Sequence, residues 1–152
     1  MKVGVLLVSN HALEDFLSLI ENIRKMAKSL LLKQSTFLPF GALISQSGEL
    51  SFVAVEFSRE EIKSNETQAA CIEALRKETR TGLFRAVGAC FNQVATTNGS
   101  SKKLNFVRIY LEQCDGSVDV ILIQYQKGIL SGLKFDEPLS EIEPESLSIF
   151  SL

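Results

Sequence analysis

Apolar and polar positions along the chain change period several times, and each change marks an element. From Leu13 onward, Phe16, Leu17, Ile20, Ile23, Ala27, Leu30 and Leu31 recur at steps of three and four, the stripe of an amphipathic helix ending near Lys33. Asn10 is placed to cap it, with Glu14 and Asp15 at the positive end of its dipole. In "STFLPFGALISQSGELSF", Pro39 forbids further helix and drives Leu38 toward an extended conformation, while Gly41 permits a close or unusual backbone path. Phe37, Pro39, Phe40 and Gly41 therefore read as a structural hinge, anchored by its two rings, that turns a helix into a strand. Gly41 to Ser45 and Leu50 to Phe57 then pair about Ser47-Gly48, with Leu43 opposite Phe52 and Ala42 opposite Val53. Apolar residues fall on both faces of this hairpin, so it is expected to be covered on both sides.

Ser58-Arg59-Glu60-Glu61 has the serine and the later glutamate of a capping box, opening a second helix to about Thr81. Its inner stripe is Ile62, Ala69, Ile72 and Leu75, and Gly82 stops it. A strand follows from Ala86 to about Thr97, then a loop through Asn98-Gly99-Ser100-Ser101-Lys102-Lys103. Leu104 to Gln113 and Val118 to Gln126 form a hairpin about Asp115-Gly116, a primed-turn signal that sets Leu111 against Val120 and Ile109 against Leu122 on a core face. The other face gathers Phe106, Arg108 and Tyr110 opposite Tyr125, Ile123 and Ile121. Phe106, Arg108, Tyr110, Ile123 and Tyr125 become the candidate protein-binding residues, being of types common at binding hot spots or lying among them. Beneath a helix the same residues would simply be core. After about residue 128 the pattern decays into a less regular acidic tail, in which Leu147, Ile149 and Phe150 are placed to dock locally. The sum is one α+β domain over residues 1–152: a five-stranded, mainly antiparallel sheet in the order helix-strand-strand-helix-strand-strand-strand, with the helices packed on it.

Composition works mainly by exclusion. At 152 residues, 45% hydrophobic and 22% charged, the chain has the size and balance of one globular domain. A net charge of -2, with lysines and arginines spread along the chain, lacks the basic excess that nucleic acid requires. The apolar run at Met1 to Val8 ends at Ser9-Asn10-His11, short of an export signal, and no stretch reaches the roughly 18–20 residues needed to cross a bilayer. A cytoplasmic protein without membrane contact is the expectation. The sequons at Asn65 and Asn98, which need secretion, then carry no meaning.

Candidate chemistry is sparse. His11 is the only histidine and stands at an expected helix start without a neighbouring nucleophile. Cys71, Cys90 and Cys114 lack the close pairing of zinc ligands or of a disulfide framework, and read as reduced thiols. Cys90 and Cys114 are the remaining nucleophile candidates, provided burial does not hold them protonated. Glu60, Glu61, Glu141, Glu143 and Glu145 read as solvated charge, lacking the spaced ligands of a calcium loop, and Gly99-Ser100-Ser101-Lys102-Lys103 departs from the P-loop pattern.

The element order, together with "GALISQSGEL", resembles the roadblock/longin-like, profilin-like group over roughly Leu13 to Lys127. That resemblance implies a five-stranded antiparallel sheet with the first hairpin at one side and helices on its faces. "FLPFGA", Gly48-Glu49 and "LEQCDG" are also similar to short bacterial proteins without an assigned activity that carry an aromatic-x-Pro-Phe-Gly-Ala segment and a later Leu-Glu-x-x-Asp-Gly turn. Where those proteins have Pro-Tyr this chain has Gln124-Tyr125, and no role is carried to that position.

The sequence thus leads to a non-enzymatic module with no cofactor and no metal, binding a protein partner or a second copy of itself. Two other readings stay open. One is an inhibitor or immunity protein that neutralises a toxin; the other is a small-molecule binder or thiol-dependent enzyme with a pocket between sheet and helix.

Overall fold

The computed structural model describes residues 2–55, 64–96, 99, 101–128 and 132–150, with side chains from Ala12 onward except those of Ser64 and Asn65. The elements are α1 (Lys2–Lys33), β1 (Phe40–Ser45), β2 (Leu50–Ala54), α2 (Ser64–Thr79), β3 (Phe84–Thr96), β4 (Lys103–Gln113), β5 (Val118–Gly128), β6 (Gly132–Phe135) and β7 (Leu139–Ser140). Two helices thus accompany an open antiparallel sheet ordered β2-β1-β3-β4-β5-β6, with β7 also pairing β5. The sheet exceeds the five expected strands because the segment after residue 128 returns along β5: Tyr125 pairs with Phe135 and Leu122 with Leu139.

α1 begins at Lys2, eight residues before the expected cap, so Asn10 lies inside it. No proline interrupts Val3 to Leu13, and Leu6, Leu7, Ala12 and Leu13 are good helix formers around the moderate Ser9 and Asn10. The buried stripe is Asp15, Leu19, Ile23, Ala27 and Leu31, while Leu17, expected inside, is 57% exposed. The capping box at Ser58–Glu61 lies outside the described residues. In α2 the buried positions are Thr67, Cys71, Leu75 and Thr79, and Ala69 faces solvent. Reading hydropathy alone misses this stripe because half of it is threonine.

Both faces of the central strands are covered. One core joins α1 to Phe40, Ala42, Ile44, Cys90, Val107, Ile109 and Ile121, among others. The second joins α2 to Leu43, Val87, Ala89, Phe91, Tyr110 and Val120, and takes in Ile149 from the tail. Expected apolar character on both strand faces is thereby accounted for.

Both hairpins pair one residue away from the expected register, for the same reason. Ser45 N donates to Glu49 O at 2.9 Å and Gly48 N to Ser45 O at 3.0 Å; Gln113 N donates to Ser117 O and Gly116 N to Gln113 O, each at 2.9 Å. Gly48 (φ 91°) and Gly116 (φ 95°) are left-handed, but Ser47 and Asp115 are not, so neither turn is the two-residue primed type. Each is a longer turn closed by a glycine bulge. Ala42 therefore meets Phe52, Leu43 meets Ser51, Tyr110 meets Val120 and Ile109 meets Ile121. Since side chains alternate with period two, a one-residue slip carries each partner to the other face.

Candidate functional site

That slip decides the fate of the expected binding face. Tyr110 lies in the core beneath α2 and the tail, whereas Ile123 and Tyr125 lie in the core beneath α1, on the opposite side of the sheet. Phe106 is half-buried, and Arg108 is ion-paired with Glu141 at 3.0 Å. The five residues do not form one surface, because the turn about Gly116 is one residue longer than its dipeptide suggests. Tyr125 has a structural role: its hydroxyl donates to Asn92 Oδ1 at 2.7 Å, and Asn92 Nδ2 donates to Thr36 Oγ1 at 2.6 Å.

The hinge residues do come together. Phe37 and Phe40 are 5% and 7% exposed, with ring centroids 5.9 Å apart, and Pro39 is buried. At Gly41 an added Cβ would stand 2.5 Å from Leu75 Cδ2, so glycine here lets β1 pass directly under α2. Pro39 ends the connection from α1 and Gly41 sets the depth at which the strand enters the sheet.

The same segment borders the open edge of the sheet. Among the described residues, β2 pairs only with β1, so its outer side presents backbone N–H and C=O groups without a strand partner. Phe52 on β2 is 41% exposed, its ring 6.3 Å from that of Phe40, and Leu38 is 45% exposed. Between this edge and the end of α1 lies a cleft of about 270 Å³, lined by Leu30, Phe37, Leu38, Phe40, Ala54 and Val55 with polar groups at Gln34 and Thr36. Chemically, this site offers main-chain pairing to an extended segment and an apolar seat for one of its side chains.

The thiols divide by burial. Loss of solvent pushes Cys71 up to about 12 from 9.0, and burial, followed by the neighbouring Cys71, holds Cys90 well above its ordinary value. Both are held as inert thiols. Cys114 is exposed, beside a cleft of about 480 Å³ bordered by Gln46, Arg80, Phe84 and Phe150. His11 falls within α1, its side chain outside the described residues. Among the described residues, no group of three or more histidines, cysteines and carboxylates is arranged to hold a metal ion. No described helix is long and apolar enough to cross a membrane.

Two polar clusters were not anticipated. Asp15, 4% exposed, takes a two-pronged bond from Arg85 at 2.9 Å for each contact, and Arg85 also donates to Gln46 O at 3.2 Å. The bond that Arg85 donates to Asp15 outweighs desolvation and raises the Arg85 pKa, fixing α1 to the start of β3. Glu112, 2% exposed, lies under the carboxyl-terminal segment and accepts from Tyr110 Oη, Ile149 N and Phe150 N. A single glutamate near the end of an apolar strand gave little sign of this. The only available signals were its place in "YLEQ", flanked by core positions, and an apolar triplet in the tail.

Burial first, then the bond to Glu112, lifts Tyr110 to about 12 from 10.0. Between about pH 9 and 12, unfolded chains release the Cys71 and Tyr110 protons that folded chains retain, so stability falls as pH rises. The tyrosine alone accounts for roughly 2–3 kcal/mol of this loss. Urea unfolding from pH 8 to 11 checks it, and Tyr110→Phe should flatten the upper part of the profile.

Comparison with known protein families, with characterised proteins and with solved structures finds no match.

Proposed function

We propose that this chain is a non-enzymatic binding module that takes an extended segment of a partner protein along β2. The observation that carries the reading is the conjunction at that edge: a strand bonded, among the described residues, on one side only, exposed Phe52 and Leu38, and an apolar cleft opening beside them. An edge of this kind invites pairing, and proteins with no use for one commonly protect it with charge, proline or a covering element. Here Leu50, Ser51, Phe52, Val53 and Ala54 bring neither charge nor proline. Main-chain pairing supplies affinity, while the cleft selects an apolar side chain on the incoming strand. An inhibitor that neutralises a toxin is one form of such a module, with the toxin as the captured partner.

The test is comparative capture from the source lysate. A protein bound by the parent chain should bind about tenfold more weakly to Phe52→Lys, which places a charge on the edge strand beside Phe40, and equally well to Cys114→Ser. Failure to capture a partner, or capture indifferent to Phe52, overturns the reading. A small-molecule site has its own observation in the cleft beside Cys114, and loss of binding in Cys114→Ser alone would favour it.

A further inference from the structure

The tail segment Leu147 to Phe150 sits in the body of the protein as a peptide sits in a receptor. Its main chain is met largely by side chains. Leu147 N donates to Tyr110 Oη at 2.8 Å, Ile149 N to Glu112 Oε1 at 3.1 Å and Phe150 N to Glu112 Oε2 at 2.7 Å. Its carbonyls accept in return: Leu147 O from Arg76 Nη2 at 2.6 Å and Ile149 O from Thr79 Oγ1 at 2.9 Å. Ile149 is 1% exposed in the second core, with Leu147 and Phe150 packed against it. This explains the placement of Thr79 and Glu112, which a purely apolar core would not need. α2 and β4 together hold donors and acceptors placed for a backbone that turns at Ser148 (φ 52°), so that the successive N–H groups of Ile149 and Phe150 both reach Glu112.

We infer that this groove is a peptide-docking site, and that the same segment from a second copy of the chain can replace the one seated in it. A second copy is the occupant favoured because the seat already fits this sequence and every copy carries it. The connection is suited to exchange. Glu141 to Ser146 is exposed apart from half-buried Pro144, and within it Glu143 (φ 48°) holds a left-handed conformation that side-chain-bearing residues adopt at a cost. Strain in a hinge of this kind favours swapping. With the tail gone, the buried Glu112 carboxylate would lose two of its donors, so an empty groove is strongly disfavoured and a tail in cis or in trans should fill it. Residues 141–146 span at most roughly 20 Å, which limits the product to a close, reciprocal pair. This surface is separate from the β2 edge, and neither proposal depends on the other.

The test uses full-length chains. Ile149→Asp spoils the tail and leaves the groove; Glu112→Gln spoils the groove and leaves the tail. An amidated, dye-labelled peptide of residues 144–150 should bind Ile149→Asp at least about tenfold more tightly than the parent, whose own tail competes, and should raise that variant's melting temperature. The peptide carrying aspartate at the Ile149 position should do neither. Mixed together, the two variants should yield a heterodimer by light scattering that neither forms alone, and no binding in either format overturns the inference. Should the variants fail to fold, parent chains dyed at Cys114, the exposed thiol, in donor and acceptor batches supply the readout: energy transfer that grows with concentration supports exchange, and none at high concentration contradicts it.

Discussion

Replacing Phe40 with alanine is expected to lower the unfolding free energy by about 3–5 kcal/mol, the range for deleting a buried phenylalanine. Phe40 is 7% exposed, begins β1, and sits between the rings of Phe37 and Phe52 in the core beneath α1. Its neighbours cannot close the space easily. Pro39 fixes the approach from one side, and on the other Gly41 is held against Leu75 by the covering helix. Phe40→Leu, which keeps most of the volume, should cost less than half as much. Urea unfolding checks both. An unchanged Phe40→Ala midpoint, with partner binding abolished, would mean that the segment is a recognition loop rather than a packed hinge.

The second large effect is expected at Glu112. Its replacement by alanine removes the acceptor for Tyr110 Oη, Ile149 N and Phe150 N together. Bonds to a charged acceptor contribute roughly 1.5–3 kcal/mol each in net terms. Against this, the chain no longer desolvates a carboxylate, which returns several kcal/mol. Tyr110 Oη keeps its bond from Leu147 N only while the tail remains seated. The balance is a loss of about 2–4 kcal/mol, accompanied by fast amide exchange at Ile149 and Phe150. Glu112→Gln keeps the shape but turns one acceptor into a donor facing other donors, so it should fall between alanine and the parent. A stabilised Glu112→Ala would show that the carboxylate is merely tolerated.

The α+β class, both helices and the five long or early strands were legible because periodicity survives the choice of partner. Pro39 and the apolar run after it marked the entry into β1, and Asp115-Gly116 marked the turn between β4 and β5. Registers were not legible. A glycine in a short loop serves a two-residue primed turn or a longer bulged one, and the strand alternation on either side tolerated both when apolar residues lay on both faces. That ambiguity alone separated Ile123 and Tyr125 from Tyr110. β6 and β7 were missed because Gly132 to Phe135 is short and a two-residue bridge has no pattern to read. Glu112 and Asp15 were missed for a different reason: apart from Tyr110, the donors named for them lie 37 or more residues away, and nothing local distinguishes a buried carboxylate from a solvated one.

Among the described residues the sheet is shielded on both faces and open along β2. Residue-resolved amide hydrogen exchange on the dilute protein tests it without a partner in hand. Within Leu50–Ala54, amides bonded to β1 should exchange about a hundredfold more slowly than those pointing outward, giving an alternating pattern, while β3, bonded on both sides, is protected at successive residues. Uniform strong protection along β2 would mean that its outer edge is already paired, and would contradict the account.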